Sequence, residues 1–259
     1  MDRPAVVLHV CASLDGRITF APNTTIFSPQ PEAELFCTRQ EWQDFHDGVC
    51  QHHQPDMFLE GSNMLVAENQ PLAELPAFVG DATPLYQDFL PNEIVERQGR
   101  TTWTSVVDGR GRFRNGYTAA THDPSTYMIH LVSEAVPSEY LAFLRARMIP
   151  YLIEGKQRVD LKGMLRKVKR KLGVNTILTS SGGKLSGALI RESLLDEINL
   201  LLCPVVIGGY ATPTLFASPE IDWTGGRASK LSLVESRKIG DDKVWLRYRV
   251  PHDSQHSLV

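Results

Sequence analysis

Thr176-Ile-Leu-Thr-Ser-Ser-Gly-Gly-Lys-Leu-Ser-Gly-Ala-Leu-Ile190 runs from a short apolar segment through a Ser-Ser-Gly-Gly turn straight into residues at helical spacing. A strand that passes directly into a helix exposes the helix's first N–H groups at the strand's end, together with a partial positive charge. That end suits a phosphate or pyrophosphate. Gly182 and Gly183 remove the Cβ atoms that would hold a ligand off the backbone, and Gly187 and Ala188 allow close packing of the helix. A plain helix start uses the same residue types, so this turn alone does not separate a ligand cradle from a cap. Neither GxGxxG nor GxxxxGK[ST] occurs in the chain.

Outward from this unit, strand and helix patterns alternate. Ala5 to Ala12, Met57 to Leu59, Thr101 to Val107, Tyr127 to Val132, Ile149 to Ile153, Val174 to Thr179 and Ile198 to Ile207 are apolar and rich in β-branched residues, and predict strands. Ser28-Pro29 predicts the start of a helix from about Pro31 toward His52, with Leu35, Trp42, Phe45 and Val49 on one face. Further helices are expected over Ser138 to Arg147, from Asp160 through Lys171 with a stop at Gly173, and from about Lys184 to Ser193. Leu231 to Ser236 and Val244 to Val250 flank Gly240-Asp241-Asp242 as a hairpin. The pattern predicts an α/β fold in one three-layer domain, with a mostly parallel central sheet and an antiparallel C-terminal hairpin. The Pro-punctuated stretch Gln70 to Pro91 reads as an insertion or a lid.

The 259 residues carry 27 Lys and Arg against 30 Asp and Glu, a formal charge of −3, which argues against a general nucleic-acid binder. No apolar run approaches the ~20 residues that span a bilayer, and the N-terminus lacks a basic start followed by an apolar stretch. Cys11, Cys37, Cys50 and Cys203 show no disulfide spacing, so a cytoplasmic setting is expected. His46, Cys50, His52 and His53 crowd one helix end, but no second cluster completes a tetrahedral metal site, and no metal is expected. The basic run Arg166 to Lys171 interrupts a helix with Leu161, Leu165, Val168 and Leu172 on its other side, which reads as a solvated face.

Several of these segments recur together in one known family. Ser13-Leu-Asp-Gly-Arg-Ile after the first strand, Val106-Val-Asp after the third, Gly182-Gly-x-Leu-x-Gly-Ala-Leu-Ile, Leu195-Asp-Glu-Ile and Pro204-Val-Val-Ile-Gly-Gly follow one another in the order found in the pyrimidine reductases of riboflavin biosynthesis. The chain resembles that family from about residue 5 to 250. The resemblance implies a dihydrofolate-reductase-like fold, a homodimer, NADPH as cofactor, and a ribosylaminopyrimidine 5′-phosphate as substrate. Hydride would pass from the nicotinamide to C1′ of the opened ribose and leave a ribityl chain. The zinc deaminase half that some members carry, with HxE and PCxxC ligands, has no counterpart here.

Carried over position by position, the resemblance implies cofactor contacts at Ala12, Thr25, Gly61, Met64 and Glu68, and along Gly182, Gly183, Lys184, Leu185, Ser186, Gly187 and Ala188. Substrate contacts fall on Asn23, Arg39, Leu72 and Ser180, and a proton carrier on His9 or Glu68. Thr25 stands in place of a Trp, Met64 in place of a Thr, and Glu68 in place of an Asp. Two departures bear on chemistry: His9 replaces a Lys inside the first strand, and Ser180 replaces a Glu before the Gly pair. Glu68-Asn69-Gln70-Pro71 replaces an Asp-Asp-Pro. These departures leave open a paralogue that reduces another sugar imine or a pterin-like ring, and a nucleotide-binding protein without catalysis. Read without the family, His9 is a hydrogen-bonded core residue, Arg39 and Glu68 are surface charges, and Asp15 closes a turn with Gly16.

Overall fold

A computed structural model of the chain describes residues 2–25, 28, 32–96, 102–114, 126–218 and 228–252. The predicted positions Pro29, Pro31 and Thr101 lie outside them. Among the described residues the elements are β1 (Ala5–Ser13), α1 (Ala33–Phe36), α2 (Arg39–His53), β2 (Met57–Gly61), α3 (Asn92–Val95), β3 (Thr102–Val107), β4 (Thr126–Val132), α4 (Ser138–Ala146), β5 (Tyr151–Ile153), α5 (Leu161–Leu172), β6 (Thr176–Thr179), α6 (Gly183–Arg191), β7 (Glu197–Cys203), β8 (Ser232–Ile239) and β9 (Lys243–Arg249). They belong to two compact units: residues 1–4, 23–27 and 55–177, and residues 5–22, 28–54 and 178–259.

In the first unit β2, β3, β4 and β5 pair in parallel, with Leu59 opposite Ser105, Ser105 opposite Ile129 and His130 opposite Tyr151. Its core gathers Val132, Val136, Tyr140, Leu141, Leu144, Ile149 and Tyr151, all at most 1% exposed. In the second unit β1 pairs in parallel with β7, with His9 opposite Asn199, and β9 joins β7 and β8 antiparallel. Parallel strands with antiparallel C-terminal strands agree with the sequence expectation. Each βα connection hides the strands from water, which is why these strands read as nearly continuous apolar runs.

Three expectations need correction. The first long helix does not run on from Pro31: α1 ends at Phe36, Cys37 is extended, and α2 starts afresh from Thr38. Thr38 and Glu41 form a reciprocal capping box, the Thr38 hydroxyl accepting from the Glu41 amide and Glu41 accepting from the Thr38 amide, so the helix has its own start there. Leu35, consigned to α1, is 55% exposed, while Phe45 and Val49 are buried. Next, β7 ends at Cys203 rather than Ile207, because Pro204 has no N–H to continue the ladder. The 205–208 segment bonds elsewhere, with Val205 accepting from the Leu14 amide and the Asp15 carboxylate accepting from the Ile207 and Gly208 amides.

The third correction concerns Gln70 to Pro91, which is no lid at its C-terminal end. Phe89 exchanges backbone hydrogen bonds with Tyr151 of β5, and Asp88 accepts from the Ile153 amide. Asp88 also pairs with Lys167 and Lys171 of α5. Lys167, only 16% exposed at its side chain, is therefore pulled out of the solvated face that the basic run predicted, while Arg166 and Arg170 are exposed as expected. Asp160 accepts from the Gly163 amide at the start of α5, and Gly173 closes the helix at φ +71°.

Candidate active site

The β6–α6 turn is built by buried hydroxyls. Thr179 Oγ1 accepts from the Ser181 amide, and the Ser186 hydroxyl reaches back to the Ser181 carbonyl at 2.9 Å. Ser181 and Ser186 are both fully buried. The helix then begins at Gly183 with Gly182 extended and no side chain capping it. A helix start with no capping side chain keeps its positive end for another partner, which suits an anionic ligand.

The turn sorts the predicted cofactor residues into two sets. Gly182, Lys184, Leu185 and Ala188 are half-buried or exposed. Gly183, Ser186 and Gly187 face the interior of their own unit. A Cβ on Gly183 would lie 2.0 Å from the Thr214 carbonyl oxygen, and one on Gly187 would lie 2.9 Å from the Ala217 backbone. Gly183 also accepts from the Ala217 amide. Room for residues 214–218 thus explains these two glycines, and Gly183 has only its backbone to offer a ligand.

The same unit holds His9, Ala12, Arg39 and Ser180. Ala12 is buried in β1, Arg39 is exposed at the first position of α2, and Ser180 is half-buried. His9 is 2% exposed and lies 3.2 Å through Nδ1 from the Thr179 carbonyl and 3.0 Å through Nε2 from His46 Nδ1. Its ring stacks on Trp42 at 5.3 Å. Burial pushes its pKa down to about 3, with the neighbouring His46 adding to the shift and the Thr179 bond opposing it. Asp15 accepts from the Ser13 hydroxyl and the Gly208 amide, which hold its carboxyl down to about 2.

The other unit places Asn23, Thr25, Gly61, Met64, Glu68 and Leu72. Gly61 ends β2 and leads into a 3-10 turn over Ser62–Met64. Asn23 is exposed at φ +59°, and Thr25 is buried. Leu72 packs against the cluster of Val66, Val106, Phe113 and Met128, which gives it a core role. Glu68 accepts from Asn63 Nδ2 at 2.9 Å and pairs with Arg110 at 2.8 Å. Arg112, almost wholly buried, donates to Asn63 Oδ1 and the Ala67 carbonyl. Asn63, Arg110 and Arg112 were not singled out from the sequence, although Asp-Gly-Arg-Gly-Arg directly after a strand is a visible signal. Beneath that loop Asp108 accepts from the Arg112 and Phe113 amides and from the Tyr140 hydroxyl, and Tyr140 in turn lies 2.8 Å from His130 Nδ1.

Among the described residues no group of three or more His, Cys, Asp or Glu side chains is arranged to hold a metal ion. No helix among them is long and apolar enough to cross a membrane.

The RibD C-terminal domain family matches residues 4–245 of this sequence. The chain belongs to this family. It is 24% identical over 242 residues to the 2,5-diamino-6-ribosylamino-4(3H)-pyrimidinone 5′-phosphate reductase of Methanothermobacter thermautotrophicus, covering 93% of this chain and 96% of that protein. Among solved structures, RibD of Acinetobacter baumannii superposes with a TM-score of 0.61 at 19% identity, over 97% of this chain and 59% of that one. The chain thus spans about three-fifths of that RibD chain's length. The riboflavin biosynthesis reductase Rib7 of Saccharomyces cerevisiae gives a TM-score of 0.57 at 16% identity, over 97% and 91% of the two chains. At these identities the structural likeness is one of fold, and the family match carries the relationship.

Proposed function

We propose that this RibD C-terminal-domain protein is an NADPH-dependent reductase that converts the ribosyl group of a ribosylaminopyrimidine 5′-phosphate to ribityl. The observation that carries the reading is the family match from residue 4 to 245, with the Ser180–Lys184 turn inside it. That turn fits a diphosphate on two counts: no side chain caps α6, and Gly182 has no Cβ. Gly182, Lys184, Leu185 and Ala188 would hold the cofactor, with Ala12 beside it.

When bound, NADPH supplies a hydride to C1′ of the ring-opened imine, and one proton completes the amine. The protein's share is positioning of the two reactants. Arg39, exposed at the start of α2, is assigned to the substrate phosphate as a charge-assisted partner. Asn23 is assigned to the same substrate, and Ser180 to the pyrimidine. The resemblance also assigns Glu68, Gly61, Met64 and Thr25, all of the other unit, to the cofactor, Glu68 as an acidic group and Met64 through its backbone or an apolar contact.

The reading includes a homodimer and a cytoplasmic setting. β8 exposes every residue from Ser232 to Lys238, including Leu233 at 56%, which supports a second copy as its cover. All four cysteines are free thiols, which fits a reducing compartment.

The test is incubation with NADPH and the 2,5-diamino substrate, following loss of NADPH absorbance and formation of the ribityl product. Cofactor binding without oxidation on this substrate would leave the activity unsupported. Absence of any thermal shift with NADPH or NADP would remove the cofactor as well.

A further inference from the structure

His9 is tied into a chain of hydrogen bonds whose direction is set at one end. Its Nδ1 faces the Thr179 carbonyl oxygen at 3.2 Å. A carbonyl oxygen only accepts, so the proton sits on Nδ1. A neutral His9 then has a bare Nε2, 3.0 Å from His46 Nδ1, and His46 must donate from that nitrogen. This leaves His46 Nε2 as the acceptor, and the Cys50 thiol, 3.4 Å away, donates to it. His46 and Cys50 are four residues apart on α2, which puts both on one face of the helix. Trp42 and Phe45, on the preceding turn, pack on the His9 ring.

The carbonyl held by this chain belongs to the last residue of β6, immediately before Ser180. The side chain of that same residue accepts from the Ser181 amide. Both ends of Thr179 therefore fix the turn that leads into α6.

We propose that His9 is a positioning residue, held neutral and protonated on Nδ1, that fixes the Thr179 carbonyl and the Ser180–Gly183 turn, and that it does not deliver the proton of the reaction. The Nδ1 proton follows from geometry and the neutral state from burial of the ring beside His46; the functional part rests on the reading of that turn as the cofactor cradle. The titratable group facing His9 is His46 from α2, itself held low by burial against an opposing pull from Asp47. The residue paired with His9 on β7 is the uncharged Asn199, and β6 presents the Thr179 carbonyl. Among the described residues no carboxylate acts on the ring to favour its charged form.

Two measurements decide it. Nitrogen-15 spectra of histidine-labelled protein, with His9 assigned by its loss in His9→Asn, should show a proton on Nδ1, none on Nε2, and no titration between about pH 5 and 8. A proton on Nε2, or a titration near neutrality, overturns the proposal. The second measurement is kinetic. The side-chain amide of His9→Asn can still donate to Thr179 but cannot titrate, so its kcat should stay within about threefold of the parent. His9→Leu, with no donor, should raise the KM for NADPH about tenfold or more while changing kcat less. If His9→Asn loses kcat as severely as His9→Leu, His9 is a proton carrier and the proposal is wrong. Should neither variant fold, the spectra of the parent protein decide. Should the parent protein show no NADPH turnover, the proposed function fails while the spectra still decide the tautomer.

Discussion

The Cα of Gly183 lies so close to the Thr214 carbonyl oxygen that a Cβ built on it falls 2.0 Å from that atom. The obstacle is backbone, which cannot swing aside as a side chain can. Gly183→Ala must move the 214–218 segment away from α6, and it also weakens the bond from the Ala217 amide to the Gly183 carbonyl. The expected cost is that of overpacking, about 1–3 kcal/mol. Urea unfolding of Gly183→Ala in the absence of any ligand checks it. A midpoint unchanged from the parent would mean the segment is not held as described, and would return Gly183 to a ligand role.

The β6–α6 unit was legible because its information is local: a four-residue strand, two serines, two glycines and a helix follow one another without a break. Much else in the site was not. His46 and Cys50 stood out by their spacing, but the residue they serve, His9, is 37 positions away from His46, and only folding brings it there. Glu68 showed its charge but not its partner Arg110, 42 positions on. Gly183 and Gly187 looked like ligand glycines because the sequence does not say that residues 214–218 return to cover them. The Thr38–Glu41 capping box was local and readable; the Ser28-Pro29 pair drew attention from it by offering a plausible cap ten residues earlier.

Acid should destabilise the fold well before its carboxylates titrate. Burial holds His9 at about 3 and His130 at about 4, and lowers His46 as well. The unfolded chain binds protons at these sites near pH 6.5, so it gains more protons than the folded form as the pH falls. The stability these groups contribute is full above about pH 6.5 and is lost progressively toward their folded values. Each of the two fully buried rings gives a loss of about 2 kcal/mol between pH 7 and pH 5. Urea midpoints across that range should fall, and His9→Asn should flatten the fall by roughly half. A flat profile in the parent protein would show that the rings are not buried neutral.

Lys184 is exposed in the first turn of α6, beside the extended Gly182. Its charge adds to the positive helix end, and reversing it opposes both. Lys184→Glu should weaken NADPH binding about tenfold, equal to about 1.4 kcal/mol, and reduce the salt dependence of binding. The substitution lies on the surface, so its thermal stability without ligand should stay close to the parent's. Titration calorimetry at two salt concentrations measures both effects. An affinity unchanged by the reversal would place the cofactor's phosphates away from this turn.

Among the described residues β8 is an edge strand, and it presents Leu233 and Val234, 56% and 38% exposed, next to β9. Unpaired edges carrying apolar residues invite another chain, and natural proteins blunt them with charge or cover them. β8 does carry Glu235, Arg237 and Lys238, yet Arg237 lies 4.3 Å over the Trp245 ring and Glu235 pairs with Arg247, so two of these charges are turned toward their own hairpin. What remains presented at the Leu233 end is apolar, which is the character of the middle of an interface rather than its rim. Leu233→Glu puts a charge there and should convert a dimer into a monomer in sedimentation analysis, with little change in the unfolding of each subunit. A parent protein that sediments as a monomer would remove the second copy from the proposal. A dimer that survives Leu233→Glu would move the interface to another face.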